Sequence, residues 1–196
     1  MPAGARVAGA QVVRVVIDTT YYRVEGRTRR EWQASWTING PRAGLSSTAI
    51  ATTGWKVRWS PGPLTLTPAG CVASAPEVGV TIHYKMPHLV PAPETSSDDV
   101  REWRRYLESI WRHEEGHGIR ALREGVEMRD SLNWMRAPTC VELQRRLSSS
   151  LGAVREKYNA LQDAYDVRHK ADHRLGNVVL PRTGLWVDTT FPDTLP

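Results

Sequence analysis

Two histidines four residues apart, with a glutamate directly after the first, stand in the stretch Trp111-Arg112-His113-Glu114-Glu115-Gly116-His117. On a helix this H-E-x-x-H spacing puts His113 and His117 one turn apart on one face, where both imidazoles can reach the same metal ion. Glu114 then projects beside the metal without having to ligate it. Zinc suits such a site: a water it holds loses proton affinity, and a neighbouring carboxylate can take its proton as it attacks a carbonyl carbon. The pattern predicts a zinc-dependent metallopeptidase acting on a peptide or protein, with Glu114 as general base that returns the proton to the leaving amine. A solvated helix face that carries two histidines by accident is the competing reading, and the context must decide between them.

The elements around the motif favour the metal. Asp98 and Asp99 are placed to cap and charge the start of a helix, and Val100, Trp103, Leu107 and Ile110 give it an apolar stripe at three and four spacing. His113 and His117 extend that stripe, so they point toward protein, where two stacked imidazoles need partners. The helix is expected to run to about Arg129. After Ala137-Pro138, Thr139 and Glu142 form a capping box for a second, longer helix. Its stripe, Leu143, Leu147, Leu151, Val154, Tyr158, Leu161 and Tyr165, reads as helix packing. The continuation of that stripe carries His169 and His173, again four apart. An open H-E-x-x-H site needs a third protein ligand and leaves the fourth position to water, and spacing admits either histidine. Asp166 is read as orienting a ligand imidazole through its free N–H, against a surface salt bridge. Tyr165 is read as packing behind the site, against a hydrogen-bond donor to the oxyanion.

The first half has a different period. Residues 11–18 and 20–25 are rich in Val, Ile and Tyr and read as strand; residues 30–39 place Trp32, Ala34, Trp36 and Ile38 at every second position and also read as strand. Asn39-Gly40-Pro41 is a turn. Residues 48–59 alternate Trp55, Val57 and Trp59 with Lys56 and Arg58. Residues 71–73 and 78–85 complete a small sheet expected to be antiparallel, and residues 86–97, with three prolines, read as a loop. The expected domain spans residues 11–176, a β-rich half at 11–85 and a helical half at 98–176, between a flexible start at 1–10 and a tail at 177–196. Leu185-Trp186-Val187 in that tail suffices for a short strand or a docked segment. His83 and His88 have no partner motif and read as surface.

Composition bounds the rest. At 196 residues with 40% hydrophobic content, the chain is long enough for one domain with a proper core. No apolar run approaches bilayer length, which predicts a soluble chain without a membrane partner. The first ten residues carry one Arg and no central apolar block, so no signal peptide is visible in the chain as written. The net charge of +5 comes from basic residues spread from Arg6 to Arg182 among acids, a solvated surface rather than a nucleic-acid footprint. Cys71 and Cys140 are the only cysteines. They are either one disulfide across a long loop or two small buried thiols.

Taken in order, these residues resemble a family: the bacterial secreted zinc-dependent proteases, also described as a domain of unknown function. The resemblance covers roughly residues 21–176. It rests on Tyr22-Arg23-Val24-Glu25-Gly26, Asn39-Gly40-Pro41, Thr53-Gly54-Trp55-Lys56-Val57-Arg58-Trp59, Cys71, the H-E-x-x-H motif, Cys140 and Tyr165-Asp166 followed by a histidine. It implies zinc, hydrolysis and export to the periplasm or medium. The family's closing pattern, Tyr-Asp, two residues, Thr, one residue, His-Gly, is altered here by two extra residues before Asp172-His173 and by Arg174 in place of the glycine. By its Asp172 context His173 matches the family histidine, and His169 takes the place of the Thr. The expectation is an α+β, zincin-like fold: an N-terminal antiparallel sheet, the H-E-x-x-H helix and a long C-terminal helix. His113, His117 and His173 bind zinc, with His169 as the alternative third ligand, and the peptide lies along a sheet edge. A reading from another class is a binding module for an anionic polymer, with structural zinc or none; a site closed by four protein ligands would favour it.

Overall fold

The computed structural model describes residues 12–43, 47–169 and 184–188. Strand β1 (Val13–Gly26) is followed by helix α1 (Arg29–Asn39), the short strands β2 (Arg42–Ala43) and β3 (Ser47–Thr48), and strand β4 (Thr52–Ser60). A hairpin of β5 (Leu64–Thr67) and β6 (Gly70–Ala73) leads to β7 (Glu77–Pro91). Helices α2 (Ser97–Trp134) and α3 (Cys140–His169) follow, and β8 (Gly184–Asp188) returns to the sheet.

The α+β class stands, with three corrections. Residues 29–39 form α1 rather than a strand: the Thr28 hydroxyl accepts from the Glu31 N–H, and Glu31 Oε2 accepts from the Arg27 N–H at 2.6 Å. That reciprocal cap outweighs an alternation whose Trp32 and Trp36 are equally one helical turn apart. The sheet, in order β4-β7-β1-β8, is mixed rather than antiparallel, because β1 and β7 pair parallel from Val13↔Val78 to Gly26↔Pro91. The intervening residues 27–76 are ample for the crossover that parallel pairing demands. Finally, residues 86–91 belong to β7 rather than to a loop. β4 pairs with β7 only as far as Lys85, so Pro87 and Pro91 lie beyond its reach and remove no ladder bond on that side.

Helix α2 covers one face of the sheet, and α3 packs on α2 and on the β5–β6 hairpin. That face carries Val13, Val15 and Ile17 from β1, Val57 from β4, and Val78, Val80, Ile82, Tyr84 and Met86 from β7, each at most 5% exposed. Facing them are Leu122, Met128 and Leu132 of α2, with Leu143, Leu147 and Leu151 of α3 completing the core. Gly125 lets α2 settle onto the strands, since a Cβ there would stand 2.5 Å from Val80 Cγ2. The Ser96 hydroxyl, and not Asp98 or Asp99, caps α2 by accepting from the Asp99 N–H, the two acids lying in the first turn, and Thr139 caps α3 by accepting from the Glu142 N–H. Cys71 of β6 and Cys140 at the start of α3 form a disulfide. No described helix is long and apolar enough to cross a membrane.

Candidate metal centre

The expected helical placement brings His113 and His117 onto the inner face of α2, and α3 lies alongside with Asp166 near its end. His113 Nε2 and His117 Nε2 are 3.3 Å apart, and Asp166 Oδ1 lies 3.2 Å from the first and 2.9 Å from the second. Donors bound tetrahedrally at about 2.0–2.1 Å from a zinc ion stand roughly 3.3 Å from one another, so the three atoms are spaced as one ion requires. The centre is graded in exposure: the side chains of His117, His113 and Asp166 are 9%, 26% and 57% exposed. It is therefore held by the core on one side and open to solvent on the other.

The tautomer of His117 is set from behind. Gln162, one turn before Asp166 on α3 and 3% exposed, donates from Nε2 to the His117 carbonyl at 3.1 Å. That bond turns its Oε1 toward His117 Nδ1, 2.7 Å away, so Nδ1 carries the proton. In the neutral ring Nε2 then presents a lone pair to the Asp166 carboxylate and to His113. A metal ion at this point could be held by all three atoms together.

Asp166 thus pairs with the Nε2 atoms of both imidazoles, and the residue at His117 Nδ1 is Gln162. His173 lies outside the described residues, and so does the side chain of His169. Tyr165 is 2% exposed and stacks on His113 with centroids 5.1 Å apart and planes 15° apart. The Arg120 guanidinium covers the same ring at 3.6 Å from its centroid and donates to the Gly116 carbonyl. Burial pushes the Tyr165 phenol up to about 12. A Cβ at Gly116 would overlap the Tyr165 hydroxyl, so the glycine inside the motif is what lets α3 approach.

Strand β4 supplies the other wall. The Thr53 hydroxyl lies 2.6 Å from Glu114 Oε2 and donates to it, and the Trp55 indole stacks on His117 with planes 7° apart. Glu114 is 6% exposed. Burial pushes its carboxyl up; the Thr53 bond and His117 oppose the shift and Asp166 adds to it. Arg155 of α3 donates to the Val57 carbonyl at 2.7 Å, on the edge of β4 away from β7. By the two-residue period of a strand, the backbone groups of Thr53 and Trp55 face that same edge, beside the donors.

Sequence reasoning missed Gln162, Thr53 and Trp55 as members of this site. Thr53 and Trp55 carried the family resemblance but no chemical signal, since their role depends on which strand lies next to α2. Gln162 sits four residues before Asp166, the spacing of one helix face, and that was the one available clue. His83 and His88 lie on the sheet away from the centre, His83 bonding Asp18 and Thr20 at 3.1 Å each. Among the described residues, His113, His117 and Asp166 are the group of three that could share a metal ion.

No curated protein and no solved structure matches the chain. A family model matches residues 19–174, which take in β1 from Thr19 onward, α1, β2 to β7, the whole of α2 and the described part of α3. By that match the chain belongs to the family described as "Bacterial protein of unknown function (DUF922)".

Proposed function

We propose that this protein is a zinc-dependent peptidase that works outside the cytoplasm, with His113, His117 and Asp166 as the metal ligands. The observation that carries the reading is the convergence of His113 Nε2, His117 Nε2 and Asp166 Oδ1, with the tautomer of His117 fixed by Gln162. Bound there, zinc would supply Lewis-acid polarisation of the scissile carbonyl and a lowered pKa for a water in its open position. Glu114 accepts the proton of the attacking water and passes it to the departing amine. The Thr53 hydroxyl donates to Glu114 Oε2 and so holds the carboxylate in one orientation. A substrate in extended form pairs with the outer edge of β4, which brings its backbone alongside Glu114. The disulfide supports an oxidising compartment.

Zinc content by mass spectrometry of purified wild type, Asp166→Asn, His117→Ala and His173→Ala tests the ligand set. One zinc per chain is expected in wild type and His173→Ala, with loss in the other two. Retention by Asp166→Asn together with loss in His173→Ala would return the third place to His173. Hydrolysis of an unstructured protein by wild type and not by Glu114→Ala then tests the reaction. Failure of wild type to take up zinc after reconstitution would sink the enzyme reading and leave a binding module.

A further inference from the structure

Beside the metal centre, α1 and the first turns of α2 enclose a cleft of about 300 Å³ lined by Arg29, Trp32, Trp36, Glu102, Trp103 and Tyr106. Its back wall is rigid. Trp32 and Trp103 are 2% and 4% exposed and meet edge to face at 5.5 Å, and Trp32 Nε1 donates to the Gly26 carbonyl at 2.9 Å. Its front is accessible: Trp36 is half-buried, Tyr106 is 42% exposed, and their rings lie 6.1 Å apart at 34°. Arg29 and Glu102 close one rim by pairing with each other across the two helices.

The cleft is in register with the proposed catalytic centre. Tyr106 and His113 are seven residues apart on α2, two turns along one face, which is about 10 Å. On the strand side, Ile50 packs against both the tryptophan cluster and the main core, three residues ahead of Thr53. The Tyr22 hydroxyl donates to the Ile50 carbonyl at 2.6 Å and fixes that approach. A peptide paired with the edge of β4 advances about 3.3 Å per residue, so about three residues carry it from Glu114 to the cleft.

We propose that this cleft is a specificity subsite of the same peptide site, taking an uncharged aromatic side chain about three positions from the scissile bond. The inference rests on the peptidase reading. The cleft suits a ring because further rings stack or meet edge on at the 4.5–7 Å spacing that its own aromatic residues already keep. A charged side chain gains little, because the Arg29–Glu102 pair is neutral as a unit. The fixed back wall means that binding orders no loose tryptophan, which favours affinity from so small a contact.

Two measurements separate this subsite from the catalytic reading. First, zinc-loaded wild type, Trp36→Ala and Tyr106→Ala are incubated with β-casein and the cuts are mapped by mass spectrometry. Phe, Tyr and Trp are expected to be enriched at one fixed offset of three or four residues from the cut in wild type. That preference should disappear in both variants while cutting elsewhere continues. Second, N-acetyl-tryptophanamide is titrated into Glu114→Ala and followed through the indole N–H resonances. Saturable shifts are expected, weakened about tenfold in the Trp36→Ala, Glu114→Ala double variant. Cutting with no offset preference, or a preference that both variants keep, would overturn the subsite and leave the peptidase reading intact. Absence of cutting, with amide binding that depends on Trp36, would sink the peptidase reading and sustain the aromatic site. Absence of amide binding, or binding unchanged by Trp36→Ala, overturns the proposal.

Discussion

At the scale of single residues, the candidate site depends on side chains outside the three converging donors. Gln162 bonds His117 at both its ring and its carbonyl, so it decides which nitrogen faces the other donors. Gln162→Ala should keep the fold and weaken zinc affinity by roughly 10–100-fold, measured by competition with a chromogenic chelator. Gly116 has the opposite character, since it matters for the side chain it lacks. Gly116→Ala drives a methyl into the Tyr165 hydroxyl, which should cost about 1–3 kcal/mol in urea unfolding and separate Asp166 from the two histidines. His113, Glu114 and His117 were legible because their spacing maps directly onto one helix face. Thr53 was not, because a threonine acquires its partner only when β4 is laid against α2.

At the scale of elements, α2, α3 and β4 meet over a buried charge. Glu124 of α2 is 2% exposed, and Arg155 of α3 reaches both its carboxylate and the Val57 carbonyl. Burial raises the Glu124 carboxyl above its ordinary value of 4.5, with Arg155 opposing the shift. The folded state therefore holds this proton more tightly than the unfolded chain. Its contribution to stability is complete below the ordinary value and is lost as pH rises through the raised one. Thermal unfolding in the presence of a chelator should show Glu124→Gln losing less stability than wild type over that rise. The elements themselves were unequally legible. The two long helices announced themselves through stripes of three and four spacing, whereas α1 was hidden because its tryptophans satisfy both the strand and the helix period.

At the scale of the molecule, the disulfide links the hairpin β5–β6 to the first residue of the helix whose far end carries Asp166. The closed loop spans 69 residues, for which the chain-entropy relation gives about 4 kcal/mol. The Cys71→Ser, Cys140→Ser double variant should lose stability of about that size in urea unfolding. Zinc should restore part of it, because a ligand that binds only the folded state adds stability. A fall much smaller than this would mean that packing of α3 on α2 holds the helix without the bridge. The disulfide suits a protein exposed to an oxidising medium.

The sequence by itself determined the α+β class, the two long helices with the Thr139 cap of the second, and the three residues of the H-E-x-x-H motif. Each depends on a period or a cap that neighbours within one turn decide. Tertiary structure alone decided the parallel pairing of β1 with β7, the place of Asp166 among the donors, the roles of Gln162 and Thr53, and the aromatic cleft beside the centre. These join residues from about 45 to about 77 positions apart, on elements whose faces are chosen by packing, and no local pattern records which distant side chain a given face will meet.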